Sequence, residues 1–229
     1  ITDASSANSV MNSVYSALQD VAAETVCGGY ARMMDGAYGD NAAHVGSYPD
    51  IAALFSNDVI SSNVFIEDFW NGHYLVIYRA NTLIEATEAL SEEQIDPAQK
   101  NAFLAEARFL RALMHYRLAN YFGPVPWIEE PLKEDLSNKD NPRTSIPDLI
   151  EKIRQDIQFA EANIPDMGKP YRASMAAVKA LKAKFNIWTE DYDEALSAAQ
   201  YFEYSGESEI GKLASNYAVI WDEIGRASC

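Results

Sequence analysis

The amino-acid sequence predicts an all-α fold, and three observations lead to that prediction. In each long segment that we predict to be helical, apolar residues recur at spacings of three and four, which is the period of an amphipathic helix. Capping residues, proline and glycine stand at the ends of these segments. No segment keeps the alternation of apolar and polar residues that marks a half-buried strand.

The first helix is predicted over residues 5–24, and an irregular segment follows it. The apolar stripe of this helix consists of Val10, Val14, Leu18 and Val21. In residues 28–63, glycine, tyrosine, aspartate and asparagine are scattered without a period, apart from a short predicted helix near residues 50–55. Long irregular segments in compact domains are usually functional or disordered, and both readings stay open for residues 28–63 at this point.

The two longest helices are predicted over residues 66–90 and 97–121. The second begins at Asp96, whose carboxylate accepts from free amides, and Pro97 suits the first helical position. It ends at Gly123, because glycine favours a C-terminal cap and the prolines that follow lack an amide donor. The apolar residues of its expected buried face are Phe103, Ala107, Leu110, Met114, Leu118 and Tyr121.

A further helix is predicted over residues 145–164. Ser145 and Asp148 form a capping pattern at its start, and Pro165 ends it.

The last two helices are predicted as a pair over residues 174–189 and 192–205, with caps at Ser174 and Asp191. Three alanines are expected to face inward from the second of them: Ala195, Ala198 and Ala199. Small side chains at these spacings let two helices lie close together. The helix–turn–helix pattern is similar to the unit of tetratricopeptide repeats. The predicted architecture is therefore a tetratricopeptide-like helical array, an α-α superhelix, with long irregular loops.

The composition excludes several classes of function. The net charge is −16, with 34 acidic against 18 basic residues, and such a surface repels nucleic acid. No apolar run approaches the roughly 20 residues of a membrane span. The polar amino terminus shows no signal peptide, as expected of a mature or trimmed segment, and the two cysteines form no disulfide framework.

Five motifs, in order along the chain, resemble the signature of the SusD/RagB family. They are Trp70-x3-Tyr74-x3-Tyr78 with Ala80-Asn81 and Ile84, then Ala105-Glu106-Ala107-Arg108 through Gly123 to Val125-Pro126, then Arg143-Thr144-Ser145, then Tyr171-Arg172-Ala173-Ser174, and then Asp191-Tyr192-Asp193-Glu194-Ala195. The resemblance covers about residues 5–220. One departure is Tyr171, which stands where the family usually has glycine.

The resemblance implies a function, a location and a partner. Members of this family are lipid-anchored, cell-surface outer-membrane proteins of Bacteroidetes that bind nutrients, chiefly glycans. The resemblance implies non-enzymatic binding of oligosaccharides, starch-like or other glycans, and their delivery to a SusC-like TonB-dependent porin. Family members are about twice as long, so residues 1–229 are expected to be one helical domain, the amino-terminal half of a longer protein. The lipid-bearing cysteine is expected upstream of this chain.

The predicted ligand-binding residues combine aromatic faces for sugar rings with polar groups for hydroxyls. We call residues 28–63 the candidate ligand loop, the role that the family resemblance gives them. Most of the predicted ligand-binding residues lie in this loop, and one follows the Gly-Pro stop: Tyr38, Asp40, Asn41, His44, Tyr48 and Trp127. Trp70 lies on a periodic helical face and is expected in the core. Arg108 and Arg111 are expected to have a structural role, either pairing with carboxylates such as Glu106 or capping neighbouring carbonyls.

Two other functions stay open at this stage. One is a helical-repeat scaffold that binds a protein and no small ligand. The other is a glycoside hydrolase that uses a carboxylate pair. The sequence has no zinc-protease or nucleophile-elbow motif, and we predict no enzyme, no metal and no cofactor. A calcium loop starting at Asp35 would need glutamate at Gly46.

Overall fold

The computed structural model describes residues 1–18, 26, 34–37, 43, 46, 48–131, 141–165 and 172–204. This part of the chain is helical and contains no strand, which confirms the all-α prediction. The helices are α1 (Ala4–Leu18), α2 (Pro49–Ser56), α3 (Val64–Glu88), α4 (Pro97–Phe122), α5 (Ile146–Asn163), α6 (Met175–Trp188) and α7 (Tyr192–Tyr204), and residues 34–37 form a helical turn. The bounds of α2 to α7 agree with the sequence to within two residues. The predicted end of the first helix lies outside the described residues.

The chain forms two compact units, Ile1–Pro165 and Asp166–Cys229. In the first unit, α4 packs against α3 and α5, α1 packs against both α3 and α4, and α2 packs against α3. In the second unit, α6 and α7 pack against each other. Within each unit, most helices that are consecutive along the chain pack against each other, as in a tetratricopeptide-like array. That residues 1–229 act as one domain stays a prediction.

Helix α4 is the centre of the first unit and is buried over more of its surface than predicted. Phe103 and Tyr121 of the expected face are half-buried. The residues that are buried occupy several sides of the helix: Leu104, Ala105, Ala107, Phe109, Leu110, Arg111, Ala112, Met114, His115, Leu118 and Ala119. A single apolar face was too narrow a prediction because α1, α3 and α5 all pack on this helix.

Two apolar stripes also differ from the prediction. The buried stripe of α1 is Ala7, Met11, Val14 and Ala17. Val10 and Leu18 are only half-buried, because the packed side of α1 is the one with two alanines that permit close approach. In α7, Ala195 and Ala198 are buried as expected, whereas Ala199 is exposed.

Most of the predicted helix caps are present. The Asp96 carboxylate accepts from the amides of Ala98 and Gln99, at 2.9 and 3.1 Å. Ser145 Oγ accepts from the Asp148 amide at 3.3 Å, and Asp191 Oδ1 accepts from the Glu194 amide at 3.4 Å. Ser174 precedes α6 but makes no side-chain capping bond, so that prediction was wrong.

Gly123 ends α4 and sets the direction of the segment that follows. Its φ of 69° and ψ of −133° lie in a region that only glycine adopts without strain. The chain therefore leaves α4 abruptly, and residues 124–130 run as a non-helical segment. We call residues 124–130 the wall segment, because they form one wall of the cleft described below. No helix of the described part is long and apolar enough to span a membrane.

Candidate functional site

An aromatic stripe runs along one face of α3. Trp70, Tyr74 and Tyr78 are four residues apart, so they lie on successive turns of the same face. The ring centroids of Trp70 and Tyr74 are 5.0 Å apart, and all three side chains are half-buried. The expectation that Trp70 belongs to the core was wrong. One side of Trp70 faces a cleft, so its side chain is only half-buried.

The cleft lies between this stripe and the wall segment. Trp70, Tyr74, Ile77 and Tyr78 line one side, and the other side consists of Pro126, Ile128 and Asn141. Its volume is about 230 Å³. Drug-sized ligands occupy pockets of roughly 300–1,000 Å³, so this cleft takes a ligand group no larger than about one ring.

Four hydrogen bonds from α3 and from Thr144 attach the wall segment. The Tyr74 hydroxyl donates to the Pro126 carbonyl at 2.8 Å. The amide nitrogen of the Asn81 side chain donates to the Ile128 carbonyl, also at 2.8 Å. The Thr144 amide donates to the Val125 carbonyl at 3.1 Å, and Thr144 Oγ1 accepts from the Trp127 amide at 3.0 Å. Helix α3 and the entry to α5 thus hold the wall segment from two sides.

Trp127 is not among the residues that line the cleft. Its ring stacks on His115, with centroids 4.0 Å apart and planes at 30°. The indole N–H donates to Glu129 Oε1 at 2.7 Å, and Lys152 Nζ lies 2.5 Å from the same oxygen. The N–H of Trp127 is therefore engaged within the protein. A role of Trp127 in ligand binding stays a prediction.

His115 is held neutral beneath the wall segment. Its Nδ1 lies 3.0 Å from the Arg111 carbonyl and so carries the proton, which leaves Nε2 to accept from the Ile128 amide at 3.5 Å. The pKa of His115 is lowered to about 3, chiefly because the imidazole is fully buried and also because the Arg111 charge is near, although backbone hydrogen bonds act against this shift. The imidazole therefore keeps its acceptor toward the wall segment throughout the neutral range.

A buried ion pair extends this arrangement to α5. Arg111 Nε and Nη2 donate to the two carboxylate oxygens of Asp156, at 2.7 and 2.8 Å. Arg111 Nη1 donates to Asn81 Oδ1 at 2.9 Å. Burial raises the pKa of Asp156, and the hydrogen bonds from Arg111 act against that rise. The pair links α4 and α5 to the Asn81 side chain of α3.

The predicted structural role of the two arginines is confirmed, although their partners differ from the expected one. Arg108 pairs with Glu88 at 3.1 Å, and Arg111 pairs with Asp156. Glu106, the carboxylate suggested by the sequence, instead accepts from the Tyr15 hydroxyl at 2.9 Å. These partners lie on α1, α3 and α5. Local sequence does not show which helices pack against α4, so the partners could not be predicted from it.

The candidate ligand loop is described only in part. Tyr38, Asp40, Asn41 and His44 lie outside the described residues, so their role stays a prediction. Tyr48 precedes α2 and is 66% exposed. The Asp35 carboxylate accepts from the Tyr121 hydroxyl. Within the described ranges, no group of three or more His, Cys, Asp or Glu side chains could hold a metal ion.

The packed helices form a scaffold that carries an open cleft lined by aromatic residues. Residues 2–187 match the model of a SusD-like family described as "Starch-binding associating with outer membrane". The chain belongs to this SusD-like family, which confirms the resemblance seen in its motifs.

Individual relatives agree with this assignment. A SusD-like protein of Bacteroides ovatus is 30% identical over 156 residues, which are 65% of this chain and 28% of that protein. The SusD-like protein P25 of Formosa agariphila is 28% identical over 182 residues, 72% of this chain and 33% of that protein. The chain thus spans about a third or less of the length of these curated relatives.

Solved structures show the same fold. A SusD superfamily protein of Bacteroides vulgatus superposes with a TM-score of 0.84 at 19% identity, over 93% of this chain and 45% of that one. A structure described as a laminarin-binding SusD-like protein superposes with a TM-score of 0.81 at 23% identity, over 97% of this chain and 49% of that one. These likenesses establish the helical architecture.

Proposed function

We propose that this protein binds a neutral glycan and that the cleft holds one of its sugar rings. The observation that carries the proposal is the stripe of Trp70, Tyr74 and Tyr78 along an open cleft. Aromatic faces stack on the apolar C–H surface of a sugar ring, and their edges leave the hydroxyl groups free to bind polar atoms. A half-buried aromatic stripe is the surface that such stacking needs.

Polar groups at the cleft complete the proposed recognition. The Tyr74 hydroxyl is committed to the Pro126 carbonyl, so it fixes the wall segment and is not offered to the ligand. The Asn141 amide lines the cleft and supplies both a donor and acceptors for sugar hydroxyls. Because the cleft has room for about one ring, the rest of an oligosaccharide extends into solvent. An affinity in the micromolar range or weaker is expected for such shallow contact.

The candidate ligand loop supplies the second part of the proposed site. Exposed Tyr48 offers one face for a further sugar ring, and Tyr38, Asp40, Asn41 and His44 are proposed to contribute from the same loop. Trp127 is retained in this proposal as a half-buried residue of the wall segment next to the cleft-lining Pro126 and Ile128.

The setting of this binding is the outer membrane. The family description of starch binding and outer-membrane association supports a cell-surface, non-enzymatic role. We propose that a lipid anchor outside this chain attaches the protein, and that the captured glycan passes to a SusC-like TonB-dependent porin. A laminarin-binding protein among the structural neighbours supports β-glucans as the first ligands to try.

Calorimetry with neutral gluco-oligosaccharides of the starch and laminarin types tests the proposal. Trp70→Ala and Tyr78→Ala are each expected to weaken binding about tenfold, which corresponds to about 1.4 kcal/mol, because each removes an aromatic face of the cleft. Tyr192→Ala is the matched control, because Tyr192 is an exposed aromatic residue of the second unit.

Three results would contradict the proposal. Unchanged binding in both cleft variants would remove the cleft from the site. Capture of a β-barrel transporter by a protein with no sugar affinity would favour the helical-repeat scaffold. Release of sugar products from a polysaccharide would favour the carboxylate-dependent hydrolase. Tyr38→Ala and Tyr48→Ala test the loop in the same assay.

A further inference from the structure

The face of α3 that lines the cleft continues beyond the aromatic residues to Asn81. Asn81 is three residues after Tyr78 and seven after Tyr74, so it lies on the same face of the helix. It is 1% exposed, and both ends of its side-chain amide are engaged. The aromatic stripe therefore ends at a buried side-chain amide whose nitrogen and oxygen each make a hydrogen bond within the protein.

The partners of Asn81 fix which way its amide points. Arg111 Nη1 has only protons to offer, so the atom 2.9 Å away must be the Asn81 oxygen. The Ile128 carbonyl has only lone pairs, so the atom 2.8 Å away must be the Asn81 nitrogen. Reversing the amide would oppose a donor to a donor and an acceptor to an acceptor.

The guanidinium that orients Asn81 is itself fixed. Two parallel hydrogen bonds to Asp156 hold the plane of Arg111, and this direction aims Nη1 at Asn81. The chain of contacts runs from α5 through α4 and α3 to the carbonyl of Ile128, which is a residue of the wall segment that lines the cleft. No member of this chain needs to touch a ligand.

We infer that Asn81 and Thr144 are positioning residues, which hold the wall segment at a fixed separation from the aromatic stripe and thereby set the fit of the sugar ring. Thr144 acts from the entry to α5, through its amide to Val125 and its hydroxyl to Trp127. This inference rests on the proposed function for its effect on affinity, but not for its effect on the wall segment.

Two sets of variants test the inference. Asn81→Asp keeps an acceptor for Arg111 and replaces the donor by an oxygen, which repels the Ile128 carbonyl. Thr144→Val removes the hydroxyl acceptor at nearly constant shape, whereas Thr144→Ser retains it. Thermal unfolding of each variant shows whether the scaffold is intact, and the threonine pair remains informative if Asn81→Asp fails to fold.

The readouts are the isoleucine methyl NMR spectrum and the affinity for laminari- and malto-oligosaccharides. Ile77 and Ile128 line opposite sides of the cleft, so the nuclear Overhauser effect between their methyl groups reports the cleft width without a ligand. Asn81→Asp and Thr144→Val are expected to change this effect, because each loses a hydrogen bond that holds the wall segment. Each is also expected to weaken binding about tenfold, which is about the size of one ordinary hydrogen bond. Thr144→Ser is expected to match the parent in both readouts.

The outcomes separate this inference from the proposed function. Unchanged Ile77 and Ile128 resonances in folded Asn81→Asp and Thr144→Val would overturn the positioning role, as would changed resonances with unchanged affinity. If the parent binds no glycan, the proposed function is wrong. In that case displaced Ile128 resonances in the two variants still support the positioning of the wall segment, and unchanged resonances still overturn it.

Discussion

At the scale of single residues, Arg111 and Asp156 form a buried ion pair with two parallel hydrogen bonds. Both side chains are nearly fully buried, so their charges have given up hydration that only the partner replaces. Removing one partner leaves the other charge buried and unpaired, whereas removing both leaves an apolar gap. The two kinds of variant should therefore differ strongly.

Arg111→Met is expected to lower the free energy of unfolding by about 3–5 kcal/mol. The double variant Arg111→Met with Asp156→Leu is expected to recover much of that loss. Arg154→Met is the control, because its pair with Glu151 is partly exposed and is worth under about 1 kcal/mol. Urea unfolding measures all of them, and equal losses in the single and double variants would show that buried charge is not the cause.

Two buried histidines give the stability a predictable pH dependence. Burial is the main cause that lowers the pKa of His73 and of His115 to about 3, against an ordinary value of 6.5. Between these values the unfolded chain binds protons that the folded protein does not, so the free energy of unfolding falls as the pH falls from 6.5 toward 3. The raised pKa of Asp156 acts in the opposite sense, just above the ordinary value of 3.8.

From pH 6.5 to pH 5, each histidine is expected to cost on the order of 2 kcal/mol of stability. His73→Leu should remove about half of this pH dependence, because His73 is one of the two histidines that cause it. The substitution breaks no hydrogen bond at Nε2, since that atom is buried without a partner. Urea unfolding at several pH values measures the slope. An unchanged slope in His73→Leu would show that His73 is protonated in the folded protein.

At the scale of helices, local sequence was sufficient to predict the elements but not what covers them. Spacing and caps placed α2 to α7 to within two residues, because both signals act within one or two turns. Trp70 is an example of a side chain whose burial local sequence did not predict. Its periodic position suggested the core, but its burial depends on the path of the wall segment, which Tyr74 and Asn81 fix from 52 and 47 residues away.

The serine caps of α5 and α6 give a matched comparison at this scale. Ser145 Oγ accepts from the Asp148 amide and donates to the Asp148 carboxylate at 2.6 Å, whereas Ser174 makes no capping bond. Ser145→Ala is expected to cost about 1 kcal/mol of unfolding free energy, and Ser174→Ala close to none. Denaturant unfolding compares them, and equal effects would mean that capping does not determine these helix starts.

At the scale of the whole molecule, the net charge of −16 restricts the ligand. Long-range repulsion opposes polyanions, while stacking and neutral hydrogen bonds are insensitive to salt. The helical architecture could be predicted because helical periodicity and helix-end residues recur along the chain. The ligand could not, since it depends on side chains grafted on that architecture.

Binding of a neutral glucan is expected to change less than about twofold between 0.05 and 0.5 M salt. A sulfated glucan of similar length is the comparison, and it is expected to bind only weakly at low salt. Calorimetry across this salt series measures both. Tighter binding of the sulfated glucan at low salt would place the ligand at a basic site and not at the aromatic cleft.

The cleft beside Trp70 is proposed to hold the sugar, so the indole N–H of Trp70 should respond to the ligand. The most direct measurement is the nitrogen-15 spectrum of the tryptophan indole groups during titration with laminari- and malto-oligosaccharides, with each resonance assigned by a Trp→Phe variant. We expect the Trp70 resonance to shift with ligand concentration and the resonance of Trp188, in the second unit, to stay unchanged. A titration in which Trp70 stays unchanged while the sugar binds would contradict this proposal.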